Sequence, residues 1–210
     1  MSYIAKVFNV MIASPSDVAA ERNVIREVIN EWNVVQAIQR KIVLLPLSWE
    51  THSTPEMGSP PQKIINRQVL DKGDLLVGVF WTRIGTYTDE YASGTVEEIE
   101  KHLDAEKPTM LYFSNIPVRL DSSDPDQYEK LKLFKEQCRS KGLFETYDTL
   151  SDFKEKFYRQ LQMKINQDVY FGVSENYAGD QPILDPALNI TQDLSSEARL
   201  LLKEASLDQY

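Results

Sequence analysis

The run Leu75-Leu-Val-Gly-Val-Phe80, between Asp74 and Trp81, constrains this chain more than any other segment. A strand with one wet face alternates apolar and polar residues, and this one does not. It must be covered on both faces, the condition of an interior strand in a parallel sheet. Parallel neighbours need crossover connections, usually helices, so the segment alone asks for an α/β fold. Its continuation is as informative: a polar, aromatic loop, and then Ser93-Gly-Thr-Val-Glu-Glu-Ile-Glu100, which reads as a helix start with a carboxylate in its first turn.

The flanking pattern supplies the other elements. Residues 4–13 read as the first strand, and Val18, Ile25, Val28, Ile29, Trp32 and Val35 recur at helical spacing behind it. Ile42 to Leu47 read as a second strand, Pro61 to Leu70 as a helix opened by proline, Thr95 to Glu106 as a helix and Thr109 to Phe113 as a fourth strand. Tyr128 to Ser140 read as a helix closed by Gly142, Leu143 to Thr146 as a short fifth strand, and Ser151 as the N-cap of a last long helix carrying Phe153, Phe157, Leu161 and Ile165. This alternation predicts a flavodoxin-like, three-layer parallel sheet of about five strands in the order 2-1-3-4-5. The domain is expected to occupy residues 1–170, with 171–210 a linker and a C-terminal helix over Leu194 to Leu207.

In that strand order the topological switch lies between the first and third strands, and a ligand is expected in the crevice beyond their carboxyl ends. The two most unusual loops leave those strands: Ser14-Pro-Ser-Asp17 and Trp81 to Gly94. Ser14 suits an N-cap and Pro15 the first helical position, so the first loop reads either as a well-capped helix or as a site where N–H groups and the side chains of Ser14, Ser16 and Asp17 meet phosphate or ribose oxygens. Thr95 and Glu98 have capping-box spacing, which would explain both without any ligand. Capping leaves unexplained the loop that offers Trp81, Thr82, Arg83, Tyr87 and Tyr91 around Gly85 and Gly94, an aromatic surface that either covers a neighbouring helix or gives a base something to stack on.

Composition removes several function classes. A net charge of −9 opposes a broad nucleic-acid footprint. One cysteine, Cys138, excludes an internal disulfide, and no Cys/His group has zinc spacing, so no metal is expected. No run of about 18 apolar residues is present and no apolar leader opens the chain, so no membrane partner and a cytoplasmic location are expected. Walker, Gly-rich dinucleotide and metalloprotease motifs are missing. His102, four residues after Glu98, reads as solvent-facing; Arg22 and Arg67 could steady phosphates or pair with the many acids, and pairing is the default reading.

The runs Ser14-Pro-Ser-Asp-Val-Ala-Ala-Glu-Arg22, Asp74-Leu-Leu-Val77 and Ser93-Gly-Thr-Val-Glu-Glu-Ile99 resemble a bacterial domain-of-unknown-function family of the TIR-like and nucleoside 2-deoxyribosyltransferase-like fold group. The likeness spans residues 4 to 165. In the deoxyribosyltransferases an aspartate opening a mid-sheet strand precedes a Ser-Gly-Thr-x-x-Glu element whose glutamate attacks the anomeric carbon. Asp74, Ser93, Gly94, Thr95 and Glu98 match those positions. TIR-domain NAD hydrolases similarly rely on a glutamate at a comparable place. The resemblance therefore implies an effector or signalling domain, in a role such as bacterial defence, that cleaves an N-glycosidic bond, with Glu98 catalytic. Ser14, Ser16, Asp17, Asp74, Trp81, Arg83, Ser93, Gly94 and Thr95 would contact the substrate. It needs no cofactor; NAD or a related nucleotide is substrate. The chain has Ala92 where the transferases commonly carry aspartate, which disfavours base exchange and favours a hydrolase or a non-catalytic nucleotide-sensing or assembly module. Self-association, or docking of the C-terminal helix on a downstream region, is the expected protein partnership.

Overall fold

A computed structural model describes residues 2–88, 91–119 and 124–172. The expected helix over 194–207 lies outside them. Five parallel strands form one sheet in the order β2-β1-β3-β4-β5: β1 (Lys6–Ala13), β2 (Ile42–Leu47), β3 (Leu75–Phe80), β4 (Thr109–Ser114) and β5 (Glu145–Tyr147). The fold is the expected flavodoxin-like one. The helices are α1 (Ala19–Arg40), α2 (Trp49–His52), α3 (Pro61–Gln68), α4 (Gly94–Asp104), α5 (Pro125–Lys141) and α6 (Leu150–Gln167), and short 3₁₀ turns follow α3 and α6.

All six β3 residues are buried, and alternate side chains of the strands enter two separate cores. Val10, Ile12, Val77 and Val79 meet Ile25, Val28 and Trp32 of α1 and Phe153, Phe157 and Leu161 of α6. Met11, Ala13, Leu76 and Phe80 face Val96 and Ile99 of α4 and Leu131 and Phe134 of α5. At Gly78 the β4 and α4 side chains leave little room: a Cβ there would lie 2.6 Å from Leu111 Cδ2 and 3.2 Å from Ile99 Cδ1.

Several boundaries differ from those the sequence pattern suggests, for local reasons. Helix α1 begins at Ala19 after Val18, which has no side-chain cap bond, so Ser14 and Pro15 lie in the loop and not in a first turn. Its apolar stripe also ends early: Val35 is 56% exposed. Helix α5 starts at Pro125, because Asp124 accepts from the amides of Asp126 and Gln127. Thr149, not Ser151, caps α6 through the Asp152 amide.

Candidate functional site

The loops leaving β1 and β3 meet the start of α4 and one wall of α3 around a crevice of about 590 Å³, lined by Ser14, Ser16, Gln62, Arg83, Thr95 and Glu98 among others. It lies outside the carboxyl ends of neighbouring strands β1 and β3, where the winding of the sheet reverses. Arg22 also lines it, with Nη1 donating to Ser14 Oγ at 3.2 Å and to the Pro15 carbonyl at 2.8 Å. Arg22 therefore braces the β1 loop. Arg67 does pair with an acid, Glu56.

Ser93, not Thr95, caps α4: its Oγ accepts from Val96 N at 3.1 Å and donates to the Ile84 carbonyl at 2.6 Å. With the cap placed before the position that a Thr95–Glu98 box requires, the Glu98 carboxyl is released from capping. It is 5% exposed and lines the crevice. Gln62 Nε2, 3.2 Å from Oε1, is its one hydrogen-bond partner among the described residues. Burial pushes the Glu98 carboxyl up to about 7, opposed by the Gln62 hydrogen bond and reinforced by the neighbouring Glu97 charge.

Glu97 is equally buried and behaves oppositely. Its Oε1 accepts from Lys101 Nζ at 2.6 Å and Asn66 Nδ2 at 2.8 Å. Burial pushes it up, but hydrogen bonds from Lys101, Thr88 and Asn66 outweigh that and hold it below the ordinary carboxylate value. Adjacent carboxyls thus differ in state: one ionised and fully held, one poised near neutrality beside a cavity.

The crevice brings together Ser14, Ser16, Arg83, Gly94, Thr95 and Glu98 of the expected site. Ser93 stands behind it as the cap, fully buried. Three others are elsewhere. Asp17 Oδ2 accepts from Thr82 N at 2.9 Å and Thr82 Oγ1 at 2.8 Å, fastening the β1 loop to the end of β3. Trp81 turns to the other side, donating from Nε1 to the Ile116 carbonyl at 2.8 Å and lining a separate cavity of about 480 Å³ with Ser114, Tyr128 and Lys135. Asp74 precedes β3, so the strand's six residues, roughly 20 Å, separate it from the crevice. There it accepts from Asn9 N at 2.7 Å and Tyr170 Oη at 3.0 Å.

His102 is not solvent-facing, as its spacing suggested, but 2% exposed. Its Nδ1 lies 3.2 Å from Thr109 Oγ1, and burial, with nearby Lys107, pushes the ring down to about 4. Cys138 is buried, and burial pushes its thiol up to about 11, the state of a packing residue. Sequence reasoning missed Gln62, Asn66 and Gln127, the last of which accepts from Gly85 N at 3.1 Å. A polar i,i+4 pair on α3, Gln62 and Asn66, was the available signal. Among the described residues no group of three or more His, Cys, Asp or Glu side chains could hold a metal ion, and no helix is long and apolar enough to cross a membrane.

Residues 9–162 match the family described as "Domain of unknown function (DUF4062)". The chain belongs to that family. The DUF4062 domain therefore contains the whole crevice. No curated protein matches the chain. Among solved structures, the apo elongation factor SelB of Methanococcus maripaludis aligns over 78% of this chain and 37% of its own, at 11% identity and a TM-score of 0.43. Oxidised flavodoxin 1 of Bacillus cereus aligns over 78% and 99%, at 12% and 0.37. The flavodiiron protein of Giardia intestinalis aligns over 74% and 34%, at 9% and 0.35. The chain thus spans about a third of the elongation factor and of the flavodiiron protein.

Proposed function

We propose that this DUF4062 domain hydrolyses the N-glycosidic bond of a nucleotide, with NAD the first substrate to test. The observation that carries the reading is Glu98: a carboxyl 5% exposed, free of capping duty, on the wall of a nucleotide-sized crevice. When the bond between C1′ and the base nitrogen breaks, the electron pair leaves with the base and positive charge builds on C1′ and the ring oxygen. A carboxylate beneath that carbon stabilises the charge or bonds to it, and water then adds hydroxide to C1′ and releases a proton. A nicotinamide base leaves neutral and needs no acid.

Burial suits Glu98 to this work. With its carboxyl near 7, both protonation states are populated at neutral pH, and a pyridinium ring entering the crevice favours the ionised one. Low local dielectric then strengthens its attraction to the developing cation. Arg22 and Arg83 supply the positive charge a pyrophosphate needs, and Ser14 and Ser16 the hydroxyls. As in TIR-domain NAD hydrolases, which the sequence resembles, the role would be that of a cytoplasmic effector or signalling domain that gains activity on self-association.

A second reading is a non-catalytic nucleotide sensor or assembly module of the same fold. It is favoured by Ala92 in place of the transferases' aspartate and by the distance of Asp74 from the crevice. Incubation with about 1 mM NAD, near the upper end of usual KM values, separates the two. Nicotinamide released by the wild type and not by Glu98→Gln supports hydrolysis. NAD binding without release, at any protein concentration, supports the sensor.

A further inference from the structure

We propose that Gln62 is a positioning residue for Glu98, oriented by an amide relay that begins at the Lys101–Glu97 ion pair and admitted to the site because residue 94 is glycine. The proposal deepens the hydrolase reading and rests on it for its purpose, but not for its test.

The relay runs from α4 across to α3 and back. Glu97 Oε1 accepts from Lys101 Nζ at 2.6 Å and from Asn66 Nδ2 at 2.8 Å; Asn66 Oδ1 accepts from Gln62 Nε2 at 3.1 Å; Gln62 Nε2 donates also to Glu98 Oε1 at 3.2 Å. Its polarity follows from chemistry. An amide can be flipped, but an ionised carboxylate only accepts. Glu97, held ionised by Lys101, therefore demands the NH₂ of Asn66, which turns Asn66 Oδ1 toward Gln62. That oxygen demands the NH₂ of Gln62, and the same NH₂ carries its second proton to Glu98. The charge of Glu97 thus fixes, through two amides, which group Glu98 meets. Glu97 and Asn66 are 5% and 7% exposed, so the relay runs largely out of water, where such bonds are strongest and mispairing is most costly.

Gly94 is the clearance for this arrangement. A Cβ built there would stand 2.3 Å from Gln62 Oε1 and 3.0 Å from its Cδ, so any side chain at 94 must push the amide away. Gly94 is N1 of α4, a position where other residues fit the helix well, so the consequence of a side chain there falls on the Gln62 amide and not on the helix. In the Ser-Gly-Thr element, glycine thereby serves Glu98 through its neighbour.

Among the described residues the charged and titratable groups beside Glu98 or lining the crevice with it are Glu97 on α4, Arg22 from α1, and Arg83 and Tyr87 from the β3 loop. None donates a hydrogen bond to its carboxyl among the described residues. Among the described residues the Gln62 hydrogen bond thus favours the ionised form against burial.

The test is a carbon-detected NMR titration of the Glu98 side-chain carboxyl, identified by its disappearance in Glu98→Gln, on substrate-free protein. Gln62→Met keeps length and removes the donor, and Gly94→Ala leaves Gln62 in place but displaces its amide. Each is expected to raise the midpoint by about one pH unit, with the thermal transition still cooperative. Unchanged midpoints in both folded variants would overturn the proposal. A shift in Gln62→Met alone would overturn the part assigned to Gly94. Because no substrate is present, a protein that cleaves nothing still shows whether the Gln62 amide acts on Glu98, and failure there leaves NAD cleavage to be judged on its own.

Discussion

Asp74 and Glu98 flank the same central strand and differ in everything that matters to chemistry. At the amino end of β3, Asp74 holds Asn9 N with one oxygen and the Tyr170 hydroxyl with the other, tying β1, β3 and the turn after α6 together. At the carboxyl end, Glu98 is more deeply buried yet keeps one amide partner and faces a cavity. A carboxylate whose oxygens are both used is cement. One that is desolvated and left half-satisfied is costly to keep, and such a cost persists where the group is needed for something other than stability.

The largest effect that tests this contrast is on activity. Glu98→Gln keeps the size of the side chain and removes its charge, so the rate of nicotinamide release is expected to fall by about 10²-fold or more. Asp74→Ala is expected to leave the rate within about twofold of wild type, after correction for folded fraction. A folded Glu98→Gln protein that cleaves at the wild-type rate would erase the distinction between the two ends.

Stability should move the other way. The folded Glu98 carboxyl titrates near 7, above its ordinary 4.5, so the native state holds a proton that the unfolded chain has already lost. Stability from this group is complete below about 4.5 and is lost as pH rises through 7. Glu98→Gln cannot suffer that loss. It is expected to be more stable than wild type by about 2–3 kcal/mol at pH 8, the gap closing toward pH 4.5. Urea melts at both pH values measure it, and a gap that stays constant between them would show that Glu98 is not desolvated as described.

Asp74→Ala should cost about 2 kcal/mol, since it leaves the Asn9 amide without its acceptor and frees Tyr170. A change within about 0.5 kcal/mol, the range of ordinary surface substitutions, would make Asp74 a functional candidate again.

How much of this could be read from the chain follows the physics of each feature. Strand order and layering were legible because β3 is apolar throughout, while Phe153, Phe157, Leu161 and Ile165 mark one face of α6. Ser14 and Thr95 misled, because an N-cap is a conformation as well as a residue type. Ser14 serves Arg22 instead, and Ser93 was the better-placed hydroxyl in the same run. Glu98 was identifiable by spacing, but its partner lies 36 positions away on α3, a distance no local pattern spans. Asp74, which matched in sequence, and Trp81, which offered an aromatic face, fell outside the crevice for a related reason: sequence order along a strand does not say at which end, or on which side, a neighbouring residue acts.

Trp81 sets the finest test of the contrast between cement and chemistry, because it sits at the carboxyl end of β3 yet turns away from Glu98. Its ring packs beside the α1 and α6 core, and Nε1 donates to the Ile116 carbonyl at 2.8 Å, so the loop after β4 depends on it. Trp81→Phe keeps most of the apolar area and removes that bond, which should cost about 1 kcal/mol and leave nicotinamide release unchanged. If the ring instead stacks on a base, as an aromatic loop beside a crevice first suggests, stability would barely move while KM for NAD rises several-fold. Thermal melts and initial rates on the same preparation distinguish these outcomes. A KM effect without a stability effect would place Trp81 on the substrate side of the strand and enlarge the site beyond the crevice that Glu98 faces.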